Sequence, residues 1–243
     1  GFGGADLAIN TIDSRQSYEQ VLVGMLVSSA SESDSGKRVR HIAYGVVELE
    51  DAALSGRKGT WIGYTADELM AEAKQKALGL IKNRFEFEEV KRERIAEYTG
   101  MSAIRFEFLK QSFEKKIVFS WERALNFEGD SGPYCQYTYS RARRILEKSG
   151  EDDGELDQSK ITSDIEFELV KSMALSQYAV ERTGREFKVN IFIEHINSLC
   201  TIFSRFYEQK HVLSAEGAER AARLKLVRSF VLLMEQLFHA CGI

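Results

Sequence analysis

Near its start the chain carries apolar residues in short runs. Further along they recur at helical spacing. Leu7–Ile12 (Leu-Ala-Ile-Asn-Thr-Ile, closed by Asp13) predicts a buried strand. Tyr18–Ser29 puts Val21, Met25 and Leu26 on one helical face. The polar stretch Ser31–Lys37 reads as a turn, and Val39–Leu49, with Ile42, Tyr44 and Val46 alternating, predicts a second strand. Strand, helix, strand implies a parallel crossover. Two strands do not complete a doubly wound sheet, so this unit reads as the tail of a larger nucleotide-binding α/β fold. The chain opens on Gly1 rather than Met and enters its first strand almost at once, so further residues are expected upstream.

From Thr65 onward the pattern is helical. Thr65 and Glu68 form a capping box ahead of the stripe Leu69, Ala73, Ala77, Leu80 and Ile81. A second helix is predicted over Val90–Tyr98, ended by Gly100, and a third over Ile117–Phe127. Pro133 opens a fourth, Tyr134–Leu146, with Arg141, Arg143, Arg144 and Lys148 in its second half and just beyond. An acidic, turn-rich loop follows within Ser149–Lys160, and helical signal resumes near Asp164. Phe192, Ile196, Leu199, Phe203 and Phe206 make one core face, and Leu224, Val227, Val231, Met234 and Phe238 another. The expected class is α/β plus all-α: a partial parallel sheet followed by a mostly helical bundle, without internal repeats. Three spans are expected, 1–63, 64–129 and 130–243.

Composition narrows the function classes. The 243 residues are 44% hydrophobic and 29% charged, which excludes global disorder, and no apolar run reaches the ~18 residues of a membrane span. A net charge of −4 argues against a wholly basic nucleic-acid binder but leaves room for a local basic face. Cys135, Cys200 and Cys241 are far apart and form no CxxC, so a reduced, zinc-free, cytosolic protein is expected. His41, His195, His211 and His239 show no metal-ligand spacing with cysteines or carboxylates, so no metal site is assigned.

Two segments carry candidate chemistry. Leu54-Ser55-Gly56-Arg57-Lys58-Gly59-Thr60 joins a strand to a helix. It has the small residues to close on phosphates and the cations to neutralise a departing pyrophosphate, although a solvated basic turn has the same composition. In Phe127-Glu128-Gly129-Asp130-Ser131-Gly132-Pro133-Tyr134-Cys135-Gln136-Tyr137, a cap and a proline start a helix whose tyrosines, glutamine and arginines suit base stacking and phosphate contact. Positions 134, 137 and 141 share a face. A well-capped core helix with inward tyrosines is the competing interpretation. Basic residues outnumber acidic ones between Arg182 and Arg228, where Tyr207 lies beside Phe206 and Arg205, off the apolar stripe.

Taken in order, these segments resemble arginyl-tRNA synthetases, class I aminoacyl-tRNA synthetases. Ala5–Tyr18 is similar to a late Rossmann strand and the following helix, and His41–Val47 to the strand before the signature loop. Ser55-Gly56-Arg57-Lys58-Gly59 stands where the family's KMSKS loop belongs. Phe127–Arg141 matches the pattern F-x-G-D-[ST]-G-P-Y-x-Q-Y-x-x-x-R, and the last helices resemble a DALR-type anticodon-binding domain.

The resemblance implies the second half of a catalytic domain over 1–63, a helical connecting region over 64–129 and an anticodon-binding domain over 130–243. It also implies formation of arginyl-adenylate from ATP (with Mg2+) and L-arginine, then transfer to tRNA(Arg). By family position Ser55, Arg57 and Lys58 close over the phosphates. His41, Gly45, Val47 and Gly56 lie at the ATP, and Gln16 at the arginine. Tyr134, Gln136, Tyr137, Arg141 and Tyr207 face tRNA. A cytoplasmic monomer without a membrane role is implied, as is coupling between the bundle and the loop. The family's HIGH motif and its guanidinium-binding Tyr and Asp are absent from this sequence. The chain alone is therefore expected to bind tRNA without making adenylate. The alternative is a stand-alone, non-catalytic tRNA-binding module derived from the same family.

Overall fold

The computed structural model describes residues 7–30, 39–50, 65–84, 86–150 and 157–243. Ala8–Asp13 (β1) and Val39–Tyr44 (β2) pair in parallel, with Asn10 opposite His41 and Asp13 opposite Tyr44. Ser17–Ala30 (α1) lies in the crossover. The strand predicted over Val39–Leu49 is two strands. Gly45 interrupts it: its N–H donates to the Phe113 carbonyl at 2.7 Å, and a Cβ at that position would stand 2.6 Å from the Lys115 carbonyl oxygen. Only glycine permits so close a backbone approach. Beyond the break, Val47–Leu49 (β3) pairs in parallel with Ile117–Phe119 (β4).

The helix expected over Ile117–Phe127 is therefore a strand followed by one helical turn, Trp121–Ala124 (α4). Ile-Val-Phe is β-branched and aromatic, and its ladder partner lies far upstream, beyond the reach of local periodicity. The chain divides into two compact units, Gly1–Leu54 with Gln111–Phe119, and Ser55–Lys110 with Ser120–Ile243. The span 64–129, expected to be one connecting region, is shared between them. The cationic loop Ser55–Gly59, the turn at 31–37 and most of the acidic loop (151–156) lie outside the described residues.

In the larger unit, Ala66–Arg84 (α2) is capped as predicted: Glu68 N–H donates to Thr65 Oγ1 at 3.2 Å, and Thr65 N–H to the Glu68 carboxylate at 2.7 Å. Glu89–Leu109 (α3) runs back along α2. It does not stop at Gly100, which is a packing point rather than a helix cap: a Cβ there would lie 2.8 Å from the Ala73 carbonyl carbon. Ala73, Ala77 and Ala96 are fully buried, so small residues let the two helices close together.

The remaining helices are Gly132–Ser149 (α5), Asp164–Ala174 (α6), Ser176–Glu186 (α7), Val189–Gln209 (α8) and Gly217–Cys241 (α9). Both predicted stripes, Phe192 to Phe206 on α8 and Leu224 to Phe238 on α9, are buried. Phe203 stacks on Phe230 with centroids 4.1 Å apart. Each aromatic side chain so buried contributes about 1.5–3 kcal/mol.

Glu166, in the first turn of α6, is buried, and burial by itself would raise its pKa. The Ser163 hydroxyl, the Arg223 guanidinium (3.0 Å) and the backbone N–H groups of Ser163 and Thr162 outweigh burial and hold the carboxyl at about 2.

Two outcomes are expected. Gly100→Ala forces the α2 and α3 backbones apart and lowers unfolding free energy by about 1–3 kcal/mol, read by urea denaturation. Because the Glu166 pKa is depressed in the fold, its stabilisation is complete above the ordinary carboxylate range and disappears as pH falls toward about 2. Glu166→Gln removes it, so wild type and variant differ at pH 7 and converge in acid, as followed by thermal melts from pH 7 to pH 2.

Candidate functional site

The smaller unit gathers polar groups at the C-terminal ends of its parallel strands, where open α/β sheets bind ligands. Asp13 caps the 3₁₀ turn Ser14–Gln16 by accepting from Arg15 N–H at 2.8 Å. Hydrogen bonds from the Arg15 guanidinium at 3.0 and 2.8 Å, with that backbone bond, hold the Asp13 pKa at about 2. Gln16 is exposed at the end of the turn, and Tyr44 is exposed at the end of β2. His41 is turned to the neighbouring strand, its Nδ1 2.9 Å from the Asn10 side-chain oxygen. Its enclosed Nε2 has no hydrogen-bond partner among the described residues. Gly45 sits at the ladder break, and Val47 is exposed on β3. Ser55, Gly56, Arg57 and Lys58 fall outside the described residues.

The larger unit builds its site on one face of α5. Ser131 is the N-cap: its hydroxyl accepts from Tyr134 N–H at 3.1 Å and donates to the Asn126 carbonyl. Pro133 fills the first turn, where its missing N–H costs nothing. The helical period then sorts the tyrosines. Tyr134 is 9% exposed and belongs to the core, its hydroxyl 3.1 Å from Ser204 Oγ on α8. Tyr137, one turn on, is 38% exposed, and Tyr207 on α8 is 39% exposed. The Arg141 guanidinium carbon lies 4.8 Å from the centroid of each of these two rings, so the cation sits over both.

Arg141 lines three grooves. One of about 450 Å³ is walled by Phe127, Glu128, Tyr134, Thr138, Ser204 and Glu208. A second, of about 630 Å³, runs past Phe87, Pro133, Gln136, Arg144 and Lys148. A third, of about 470 Å³, adds Lys210 and His211 from the end of α8. Arginine, lysine and aromatic rings on one surface suit a polyanion carrying planar bases.

Of the five residues expected to face tRNA, Gln136, Tyr137, Arg141 and Tyr207 therefore share this surface. Tyr134 is placed inside, with its hydroxyl end at the groove. Arg143 projects elsewhere: hydrogen bonding to Tyr139 keeps its guanidinium protonated to still higher pH. Lys148 and Lys210 escaped sequence reasoning as site residues. The spacing 141, 144, 148 already marked the first, whereas nothing local marked Lys210.

Comparisons with known proteins fall on the same two regions. Residues 3–121 match the family described as tRNA synthetases class I (R), catalytic domain, and residues 135–243 match the DALR anticodon binding domain. The arginine–tRNA ligase of Pyrococcus abyssi is 38% identical over 93% of the chain, and that of Thermococcus kodakarensis 36% identical over 93%. The chain belongs to the arginyl-tRNA synthetase family. It spans 37% of the length of those two relatives. The Thermus thermophilus arginyl-tRNA synthetase superposes with a TM-score of 0.87 at 30% identity, over 98% of this chain and 40% of that one. The Plasmodium falciparum arginyl-tRNA synthetase, at 23% identity and a TM-score of 0.83 over 98% of this chain and 40% of that one, shares the fold.

The different burial of the two tyrosines has a measurable consequence. Tyr134→Phe loses a buried hydroxyl bond and costs about 1 kcal/mol of stability. Tyr137→Ala at the exposed stack costs about 0.5–1 kcal/mol. It also leaves Arg141 mobile, so the guanidinium resonance of Arg141 sharpens in NMR spectra of the Tyr137 variant only.

Proposed function

We propose that this chain is the tRNA-gripping part of an arginine–tRNA ligase, the enzyme that joins L-arginine to tRNA(Arg) with conversion of ATP to AMP and pyrophosphate. The observation that carries this reading is the Tyr137–Arg141–Tyr207 cluster, set at three grooves that Arg141 lines, two of which also carry Arg144 and Lys148. Aromatic faces take unstacked bases, while Arg144, Lys148 and Lys210 neutralise phosphates along the same surface. Gln136 supplies an amide at the rim of the wider groove.

In the strand-bearing unit, Gln16 follows the end of β1 and contributes to holding the arginine substrate. His41, Gly45 and Val47 lie along the strands next to the ATP, which is a substrate carried with Mg2+. Ser55, Arg57 and Lys58 act on its phosphates, with Gly56 at the ATP. Such chemistry proceeds through positioning and charge stabilisation, without a catalytic acid or base from this chain. The protein works as a cytoplasmic monomer. Alone, the chain binds tRNA but makes no adenylate, because the HIGH motif and the guanidinium-binding Tyr and Asp are absent from this sequence.

The test is binding of an arginine tRNA transcript to the chain in 50 and 200 mM salt. Affinity falls steeply with salt, and Arg141→Ala weakens it about tenfold with a shallower salt slope. Binding that ignores salt, or an Arg141→Ala variant indistinguishable from wild type, rejects the groove as the RNA site. Adding the remaining portion of a relative's catalytic domain restores arginine-dependent ATP–pyrophosphate exchange. If no exchange returns while tRNA binding persists, the chain acts as a binding module only.

A further inference from the structure

In the interior of the larger unit Glu107, near the end of α3, is an acid with 0% exposure. A carboxylate in that position is sustained only by cations and hydrogen bonds. Two cations reach it. Lys110 Nζ lies 2.8 Å from one carboxylate oxygen, and Arg123 Nε lies 3.4 Å from the other. Lys110 is the last residue before the chain leaves this unit for the strand β4, and Arg123 follows just after its return at Ser120. The same carboxylate thus ties both ends of the excursion.

Lys110 carries the connection further. Its ammonium also donates to the backbone carbonyl and to the side-chain carboxylate of Asp130, each at 3.1 Å. The ammonium therefore joins an ion pair with Glu107 to two hydrogen bonds on Asp130. Asp130 itself sits in the left-handed region, with φ 46°, at the turn just before the α5 cap Ser131. A non-glycine residue stays in that region when its surroundings hold it there. Immediately before it, Phe127 and Glu128 form one wall of the groove shared with Tyr137 and Arg141.

We propose that Glu107 is a positioning residue for the RNA groove. Through Lys110 it pins the Asp130 turn, and the turn sets the Phe127–Glu128 wall against the Tyr137–Arg141 face. The inference rests on the groove being the tRNA site, and it assigns a role to side chains that never touch RNA.

The sign of the effect separates positioning from plain electrostatics. Glu107→Gln and Asp130→Asn each remove a negative charge. If charge alone mattered, both variants would bind a polyanion more tightly. Positioning requires the opposite. Asp130 is 66% exposed, and asparagine tolerates its left-handed backbone, so Asp130→Asn leaves folding intact even where Glu107→Gln destabilises the core.

The experiment measures affinity for an arginine tRNA transcript and amide hydrogen exchange over residues 126–131, in wild type, Asp130→Asn, Glu107→Gln and the double variant. The expected results are tRNA binding weakened about threefold by Asp130→Asn and about tenfold by Glu107→Gln, a double variant no weaker than Glu107→Gln, and faster exchange across the turn in each. Unchanged or tighter binding in Asp130→Asn by a chain whose wild type binds tRNA overturns the proposal, as does unchanged exchange across the turn. A wild type that fails to bind tRNA rejects the groove assignment instead, and exchange then decides by itself whether Glu107 holds the turn.

Discussion

The relative register of α5 and α8 governs the functional face. One hydrogen bond, between the hydroxyls of Tyr134 and Ser204, marks where the two helices meet. Tyr137 stands one turn beyond Tyr134, and Tyr207 one turn beyond Ser204. Because both helices advance by the same period, the pairing of the first two residues brings the second two within reach of Arg141. Beneath this contact, Phe203 stacked on Phe230 keeps α8 from rotating against α9. Slippage of α8 by one residue would bury Tyr207 and separate the cation from its second ring.

The same periodicity resolves an apparent conflict in charge. A chain of net charge −4 is a poor general partner for nucleic acid. Helical geometry divides its charges by face, so Arg141, Arg144 and Lys148 project together at i, i+3 and i+7. Arg143, in the same run, turns to Tyr139 on the other side. Lys210 and His211 at the end of α8 complete the basic strip. Two buried acids elsewhere are engaged internally: Glu166 with Arg223, Glu107 with Lys110 and Arg123. Local charge density, rather than the total, sets what this surface attracts.

Much of the helical half was legible in the sequence because its signals are local. The Thr65–Glu68 box, the Ser131 cap with Pro133 behind it, and the stripes of α8 and α9 each need only a few neighbouring residues to be read. The misreadings share one cause. Ile117–Phe119 is a strand because β3, far away in sequence, offers it a ladder. Gly100 lies inside a helix because Ala73 of another helix presses against it. Gly45 splits a strand because the backbone around Lys115 crosses it. Each depends on a partner that no sequence window contains.

The candidate site divides along the same line. The sequence by itself determined the composition of the surface: which helix carries tyrosine, glutamine and arginine, and that a cap and a proline begin it. The resemblance to arginyl-tRNA synthetases added the expected roles. Only the tertiary structure decided that Tyr134 faces the core while Tyr137 faces the groove, that Tyr207 closes over Arg141, and that a buried glutamate anchors the neighbouring turn. Residue identity and local period are written in one dimension, whereas the pairing of faces is a free-energy minimum over contacts between distant segments. That minimum exists only when the chain is folded.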